Sequence, residues 1–113
     1  MLNDQQNYQL LKALEDNPNT SQRELAREVG YSLGKLNYCL NALKEKGWVK
    51  AENFRNSQNK TAYLYKLTPS GITEKARVTR RFLQRKLEEH EALQHEIERL
   101  KQEVEVTRAN QSL

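Results

Sequence analysis

The sequence lacks the features that mark several large classes of protein. It has one cysteine, Cys39, which cannot form an internal disulfide and fits a reducing compartment. It contains no run of about 18 apolar residues, so no membrane-spanning helix is expected. Its first residues, MLNDQQNYQL, lack the basic start, apolar stretch and cleavage site of a secretory signal. We therefore expect a cytoplasmic protein without a membrane anchor.

Apolar residues are also scarce. Nine apolar residue types supply 36% of the 113 residues. With glycine added, the share reaches roughly 40%, below the roughly 45–50% of an average globular domain. One domain is expected at this length, and burying about two-thirds of its surface takes more apolar residues than these. Part of the chain should therefore lie outside the core as an exposed element.

The sequence is equally poor in catalytic and cofactor-binding patterns. It has no glycine-rich phosphate loop and no nucleophile–histidine set, so we expect neither an enzyme nor a bound cofactor. His90 and His95 are five residues apart and share a helical face poorly, so with Glu91 they make a poor metal site. Cys39 has no second cysteine to resolve an oxidised thiol, which favours a small buried residue over a redox sensor.

Charge is abundant and unevenly distributed. The net charge of +4 and the pI near 9.3 hint at a polyanionic partner. Residues 32–66 carry seven basic and two acidic residues, and residues 75–86 carry six basic residues and no acidic one. Residues 88–105 carry seven glutamates against two basic residues. Each run alone could be a solvated face, but together they describe a basic body followed by an acidic segment.

The first half of the chain predicts three helices. Apolar spacing predicts a helix over residues 7–16, ended by the Asn-Pro-Asn turn at residues 17–19. Ser21 and Glu24 have the spacing of a capping box at the start of a short second helix, which Gly30 ends.

Ser32 is placed to cap a third helix, which runs to about residue 46 and is followed by Gly47. Its leucines are expected to form one inner face: Leu33, Leu36, Leu40 and Leu43. Two helices joined by a short glycine-containing turn form a helix-turn-helix.

A hairpin and a long helix follow. Residues 48–54 and 61–67 predict two strands, joined by a polar, basic turn at residues 55–60. Helices and hairpin in this order indicate a winged helix-turn-helix domain over residues 1–71, a mainly α fold with a small β-hairpin. Residues 72–106, free of glycine and proline, predict one long dimerisation helix, the exposed element that the composition requires, and residues 107–113 a frayed tail.

The long helix carries a heptad pattern typical of a coiled coil. We predict a homodimer with these interface residues: Leu83, Leu87, His90, Leu93, Ile97, Leu100 and Val104. In a parallel pair, Glu96 faces Lys101 and Glu103 faces Arg108, whereas an antiparallel pair brings glutamates together. The alternative is a single helix that folds back along its own body.

The polar face of the third helix is suited to duplex DNA, because asparagine pairs with adenine and lysine donates to guanine in the major groove. The preceding helix start and the hairpin tip offer phosphate contacts. The predicted DNA-binding residues are Ser21, Gln22, Arg23, Ser32, Lys35, Asn37, Tyr38, Asn41, Arg55, Asn56, Asn59 and Lys60. Each of them alone could be an ordinary solvated side chain.

Several segments resemble MarR-type winged-helix regulators. Residues 20–30 (TSQRELAREVG) resemble their second helix, residues 40–49 (LNALKEKGWV) the end of their recognition helix, and residues 67–71 (LTPSG) the exit from the wing. More closely, residues 32–40 (SLGKLNYCL) and 81–86 (RFLQRK) are similar to the small MarR-family regulators associated with exopolysaccharide gene clusters.

The resemblance implies a bacterial transcriptional regulator that binds duplex DNA as a dimer. Larger members pair through helices from both chain ends and hold an effector pocket beside that interface. Here we expect no such N-terminal extension, so the resemblance does not lead us to expect an effector pocket in this protein. The alternative function is a winged-helix module for protein–protein interaction, docked by its coiled coil, with no specific DNA site.

Overall fold

The computed structural model describes residues 2–55 and 61–111, with helices and strands in the order expected of a winged helix. They are α1 (Asp4–Asp16), β1 (Thr20–Ser21), α2 (Gln22–Val29), α3 (Leu33–Glu45), β2 (Val49–Arg55), β3 (Thr61–Leu67) and α4 (Pro69–Gln111). The predicted winged helix-turn-helix fold with a long C-terminal helix is confirmed. Within the described residues, no helix is both long enough and apolar enough to cross a membrane.

Helix α1 begins earlier than its apolar spacing predicts. The backbone N–H of Gln6 donates to the Asn3 side chain at 2.8 Å, and the Gln6 side chain accepts from the Asn3 backbone at 3.2 Å. This reciprocal capping box satisfies two free N–H groups and starts the helix at Asp4. The turn after the helix uses Asn19 with a positive φ of 63°, a conformation that asparagine tolerates.

The capping residues of α2 and α3 are those that the sequence predicts, but of the capping box expected between Ser21 and Glu24 only the bond to the Ser21 side chain is present. The side chain of Ser21 accepts from the N–H of Glu24 at 3.2 Å, and that of Ser32 accepts from the N–H of Lys35 at 3.1 Å. Gly30 ends α2 in the left-handed region at φ 75°. These caps fix the short turn between the two helices, and so fix where α3 starts.

The sheet has three antiparallel strands in the order β1-β3-β2. Strands β2 and β3 form the predicted hairpin, in which Val49 pairs with Leu67. Strand β1 was not predicted: Thr20 pairs with Tyr65, and this pairing ties the start of α2 to the hairpin. Because β1 has only two residues, it carries no alternating pattern that a sequence could reveal.

The core lies among α1, α2, α3, the sheet and the start of α4. Leu10, Leu11 and Leu14 of α1 and Val78 of α4 are at most 1% exposed. The other buried apolar side chains are Ala13, Leu25, Ala26, Leu36, Cys39, Leu40, Leu43, Val49 and Tyr65. The predicted inner face of α3 is wrong at one position, because Leu33 is 49% exposed. Leu33 is the first residue of α3 and the first leucine of the row, so the row is buried only from Leu36 onward.

The chain forms two compact units, divided between Arg81 and Phe82. In the first unit, ion pairs fasten the start of α4 to α1: Lys75 to Glu15 at 2.9 Å and Arg81 to Asp4 at 3.3 Å. The bond to Asp4 also raises the pKa of Arg81. The second unit is the rest of α4. This helix starts at Pro69 and ends at Gln111, several residues outside the predicted bounds at each end.

Candidate nucleic-acid interface

One face of α3 is buried and the opposite face is open. Leu36, Cys39, Leu40 and Leu43 face the core, each at most 1% exposed. The predicted DNA-binding residues within this helix are all exposed: Lys35, Asn37, Tyr38 and Asn41. Tyr38 is 63% exposed, which is unusual for so large a ring. The second helix of the helix-turn-helix therefore presents amide, ammonium and phenol groups on one side.

Lys35 has a defined position on this face. Its ammonium lies over the ring of Tyr31, 4.0 Å from the ring centroid, within the range of a cation–π contact. The hydroxyl of Tyr31 donates to Oε1 of Gln9 at 3.3 Å, which links the ring to α1. Partial burial raises the pKa of Tyr31, so this ring stays neutral. Lys35 is thus held at the edge of the α3 face that adjoins the turn after α2.

The residues at the start of α2 have different roles in the structure. Ser21 uses its side chain as the cap, while Arg23 is exposed. The side-chain amide of Gln22 donates to the carbonyl of Leu33 at 3.2 Å. Gln22 therefore joins the first turns of α2 and α3, a positioning role that the sequence alone does not indicate.

The hairpin carries fewer unpaired charges than its sequence suggests. Glu52 accepts from Lys66 at 3.0 Å and from Lys50 at 3.2 Å. These two hydrogen bonds, first that from Lys66, lower the pKa of Glu52. Of the predicted wing residues, Arg55 ends β2 opposite Thr61, and Asn56, Asn59 and Lys60 lie outside the described residues.

The described strands add one residue to the predicted interface. Tyr63 of β3 is 56% exposed, although it belongs to a strand with buried neighbours such as Tyr65. The alternation of a strand predicts which side chains share a face, but it does not say which face is covered. An exposed aromatic ring on the hairpin is a further group that a partner could contact.

The second unit presents a row of half-exposed apolar side chains. Their exposed fractions lie between 42% and 56%: Leu83, Leu87, Leu93, Ile97, Leu100 and Val104. His90, predicted to lie in the same row, is also exposed. Charged side chains pair along the helix surface, Lys86 with Glu89 at 3.1 Å and Arg108 with Glu105 at 3.9 Å. Nε2 of His95 lies 3.8 Å from a carboxylate oxygen of Glu91.

An exposed apolar row of this kind is suited to contact with another helix. Helical surface positions normally carry charged side chains, whereas here six large apolar residues share one side of the helix. Within the described residues, no group of three histidine, cysteine or acidic side chains is placed to hold a metal ion. His95 instead lies beside Glu91 on the helix surface.

Cys39 is enclosed in the core of the first unit. It is 1% exposed, on the inner face of α3. Burial raises the pKa of its thiol, and the nearby charge of Lys35 offsets this only in part. The net rise in the pKa leaves little thiolate at neutral pH, and thiolate is the reactive form.

Comparison with known proteins identifies the domain. Residues 3–50 match a family of winged helix-turn-helix DNA-binding domains. They cover α1, the helix-turn-helix and the first residues of β2, so the residues discussed above on α2 and α3 fall within the match. No protein of curated function matches the sequence significantly.

Solved structures with the same fold include transcriptional regulators. PcaV from Streptomyces coelicolor, in complex with its natural ligand, is similar with a TM-score of 0.60 and 24% identity, covering 69% of this chain and 54% of that chain. The repressor CouR, bound to a 23-mer DNA duplex, has a TM-score of 0.58 and 25% identity, covering 71% and 54%. A zinc-responsive MarR family member, ZitR of Lactococcus lactis, has a TM-score of 0.57 and 18% identity, covering 77% and 58%.

This chain therefore spans little more than half the length of these regulators. What is similar is the winged-helix fold, and the structural neighbours include MarR-family transcriptional regulators. One of these neighbours is bound to duplex DNA.

Proposed function

We propose that the protein is a transcriptional regulator that binds specific sequences of duplex DNA as a dimer. The observation that carries this proposal is the open face of α3, which groups Lys35, Asn37, Tyr38 and Asn41 on the second helix of a winged helix-turn-helix. The DNA duplex bound by CouR supports the same partner for this fold. In this proposal, the protein is a binding protein and not an enzyme.

Recognition would divide between α3 and its surroundings. The first turns of α3 enter the major groove, where Asn37 or Asn41 pairs with adenine and Lys35 donates to a guanine or a phosphate. Arg23 at the start of α2 contacts a phosphate, favoured by the free N–H groups there. The wing reaches the backbone or the adjacent minor groove. Phosphate contacts supply affinity, and base contacts supply specificity.

Dimerisation would use the exposed apolar row of the second unit. Six half-exposed apolar side chains share one side of the helix, and a second copy of the same helix supplies a matching row. A parallel pair places Glu96 near Lys101 and Glu103 near Arg108 of the other chain. A dimer of this kind favours a two-fold symmetric operator with half-sites about one helical turn apart, or a multiple of it.

The finer assignment follows from the resemblance of residues 32–40 and 81–86. We assign the protein to the small regulators associated with exopolysaccharide gene clusters, acting in the bacterial cytoplasm where the DNA lies. The resemblance of these two segments is the whole support for this assignment.

A second candidate function is a winged-helix module for protein–protein interaction. The exposure of Leu33 and Tyr38 on α3 favours it, because docking faces are enriched in exposed apolar and aromatic groups. The amides and the lysine on the same face favour DNA. The two functions differ in one simple property, binding to duplex DNA of random sequence.

A titration of labelled random duplex with the protein at low and moderate salt tests the proposal. We expect binding at low salt that weakens as salt rises, because each neutralised phosphate releases counterions. Arg23→Ala should reduce the salt dependence. Lys12→Ala is the matched control, because Lys12 carries the same charge but pairs with Asp16 on α1. Absence of binding at low salt would exclude the DNA function and favour the interaction module.

A further inference from the structure

The first turn of α3 contains a large apolar side chain on its open side. Leu33 is 49% exposed, whereas the other three leucines of the helix are at most 1% exposed. A single exposed leucine needs no explanation on an ordinary surface. Here it lies at the start of the helix that the proposed function inserts into the major groove, where the first helical residues contact base edges.

Next to it lies a glycine that the fold does not require. Gly34 is in regular helix, and a β-carbon built on it meets no atom of the described chain within 4 Å. Glycine in a helix costs about 1 kcal/mol relative to alanine. The described part of the chain contains no neighbour that would exclude a methyl group there, so the absence of a side chain leaves this turn open to close approach by a partner.

The backbone of this turn is held rigidly from two sides. The side chain of Ser32 accepts from the N–H of Lys35, and the N–H of Leu36 donates to the Ser32 carbonyl at 2.9 Å. The side chain of Gln22 binds the carbonyl of Leu33 at 3.2 Å. These hydrogen bonds hold the backbone of Leu33 against the start of α2 and the cap of α3. A contact made by the Leu33 side chain therefore has a defined position.

The chemistry of the major groove supplies one match for such a side chain. Its base edges present hydrogen-bond donors and acceptors, and the C5-methyl group of thymine is the apolar group among them. Asn37 lies four residues after Leu33, hence on the same side of the helix, and asparagine is suited to adenine.

We propose that Leu33 is a specificity-determining residue that contacts the methyl group of a thymine in each half-site, with Gly34 permitting the close approach of the helix to the base. This inference rests on the proposed DNA-binding function and deepens it. It assigns base discrimination to a residue that the leucine spacing of α3 predicts to face the core.

The test replaces thymidine by deoxyuridine in the duplex. This exchange removes the C5-methyl group of the base and leaves its base-pairing edge intact. Bound duplexes are selected from a random pool, and the best duplex is titrated with each thymine exchanged in turn. We expect one exchange per half-site to weaken binding of the wild-type protein about four-fold, the effect of burying one methyl-sized group.

Variants of Leu33 assign the effect to this side chain. Leu33→Ala should bind the thymidine duplex more weakly and should bind the thymidine and deoxyuridine duplexes equally. Leu33→Met, which keeps an apolar side chain of similar reach, should retain the discrimination. Lys44→Ala is the matched control, an exposed position later on the same helix, and should also retain it. Because Leu33 is half exposed, all three variants should fold, which thermal melting verifies.

The outcomes separate this inference from the function on which it rests. Sequence-selective binding with no sensitivity to any deoxyuridine exchange overturns the role of Leu33 and leaves DNA recognition standing. Methyl discrimination that persists in Leu33→Ala likewise overturns it. No binding to any duplex overturns both.

Discussion

The α-carbon of Gly71 lies directly against the backbone carbonyl of Trp48. A β-carbon at Gly71 would overlap the Trp48 carbonyl oxygen and stand 3.0 Å from the carbonyl carbon. The same carbonyl accepts a hydrogen bond from the N–H of Thr68 at 3.0 Å. The first turn of α4 is thus packed backbone to backbone against the junction of α3 and β2, and the close approach of Gly71 depends on the absence of a side chain there.

Gly71→Ala should therefore destabilise the first unit. The added methyl group has backbone atoms for neighbours, and these cannot move aside as the end of a flexible side chain would. Overpacking of this kind costs about 1–3 kcal/mol, measured as the change in the free energy of unfolding in urea. Ser70→Ala, at an exposed position on the same turn, is the control and should change it by less than about 0.5 kcal/mol. A Gly71→Ala protein as stable as wild type would contradict the packing described.

Gly34→Ala should have the opposite effect on stability and a separate effect on binding. The helix gains about 0.5–1 kcal/mol because alanine has the higher helix propensity. Affinity for duplex DNA should fall, since the new methyl group faces the proposed contact. Thermal melting and DNA titration on the same sample measure the two effects.

Gly30→Ala serves as the comparison, because φ is 75° at this position and alanine is strained there. It should lower the melting temperature even though space is available around it. If Gly34→Ala binds DNA as tightly as wild type, the first turn of α3 does not approach the duplex closely.

Asn41→Ala tests whether the open face of α3 discriminates bases. If Asn41 pairs with a base, the substitution should reduce the preference for the selected duplex by about 1–3 kcal/mol per half-site. The measurement is the ratio of affinities for selected and random duplexes. An equal loss on both duplexes would assign Asn41 to the DNA backbone instead.

In the proposed dimer, Ile97→Asp should separate the two chains and give a monomer. A buried, unpaired carboxylate in the centre of a coiled-coil seam is strongly unfavourable. Gln102→Asp introduces the same charge on the opposite side of the helix and should leave the dimer intact. Truncation after Lys86 should also give a monomer. Sedimentation measures all three, and a dimer that survives the truncation would place the interface elsewhere.

The orientation of the two helices needs its own measurement. Val104→Cys places a thiol near the end of the seam, where it meets its counterpart only in a parallel pair. Mild oxidation should then give a cross-linked dimer. Failure to cross-link while the protein sediments as a dimer would indicate an antiparallel arrangement.

Cys39 should react with a thiol reagent only when the first unit unfolds. Its side chain is 1% exposed and burial raises the pKa of the thiol, so both access and thiolate formation are limited. Because the pKa is raised, what thiolate forms should appear only at alkaline pH. The rate of labelling at pH 8 should rise steeply in urea. Fast labelling of the native protein would reopen redox sensing at this residue.

Local signals predicted most of the fold because they act over short distances. Ser21, Gly30 and Ser32 each fix one end of a helix, and the structure confirms all three caps. The start of α1 was missed because its capping box is formed by Asn3 and Gln6, a less familiar pair than serine and glutamate.

Contacts between distant residues were harder to predict. The pairing of Thr20 with Tyr65 joins a two-residue strand to a hairpin strand 45 positions later in the sequence. A strand of two residues is too short to show a periodic pattern of apolar residues. Leu33 continues the leucine spacing of α3 and yet is half exposed. The spacing predicts on which side of the helix a residue lies, but it does not predict whether the neighbouring elements extend far enough along the helix to cover it.

For the site, residue types predicted which face of α3 is polar. They did not predict the hydrogen bond from Gln22 to the Leu33 carbonyl or the contact between Lys35 and Tyr31. Both join side chains to groups on another element, and their partners are known only once the helices are packed.

The ion pair of Arg81 with Asp4 has a consequence for how the molecule forms. It joins residues 77 positions apart, and both partners lie in the first unit. The apolar row begins two residues after Arg81, in the other unit. The first unit can therefore complete this ion pair without any contribution from the apolar row, and its folding does not depend on whether a second chain covers that row.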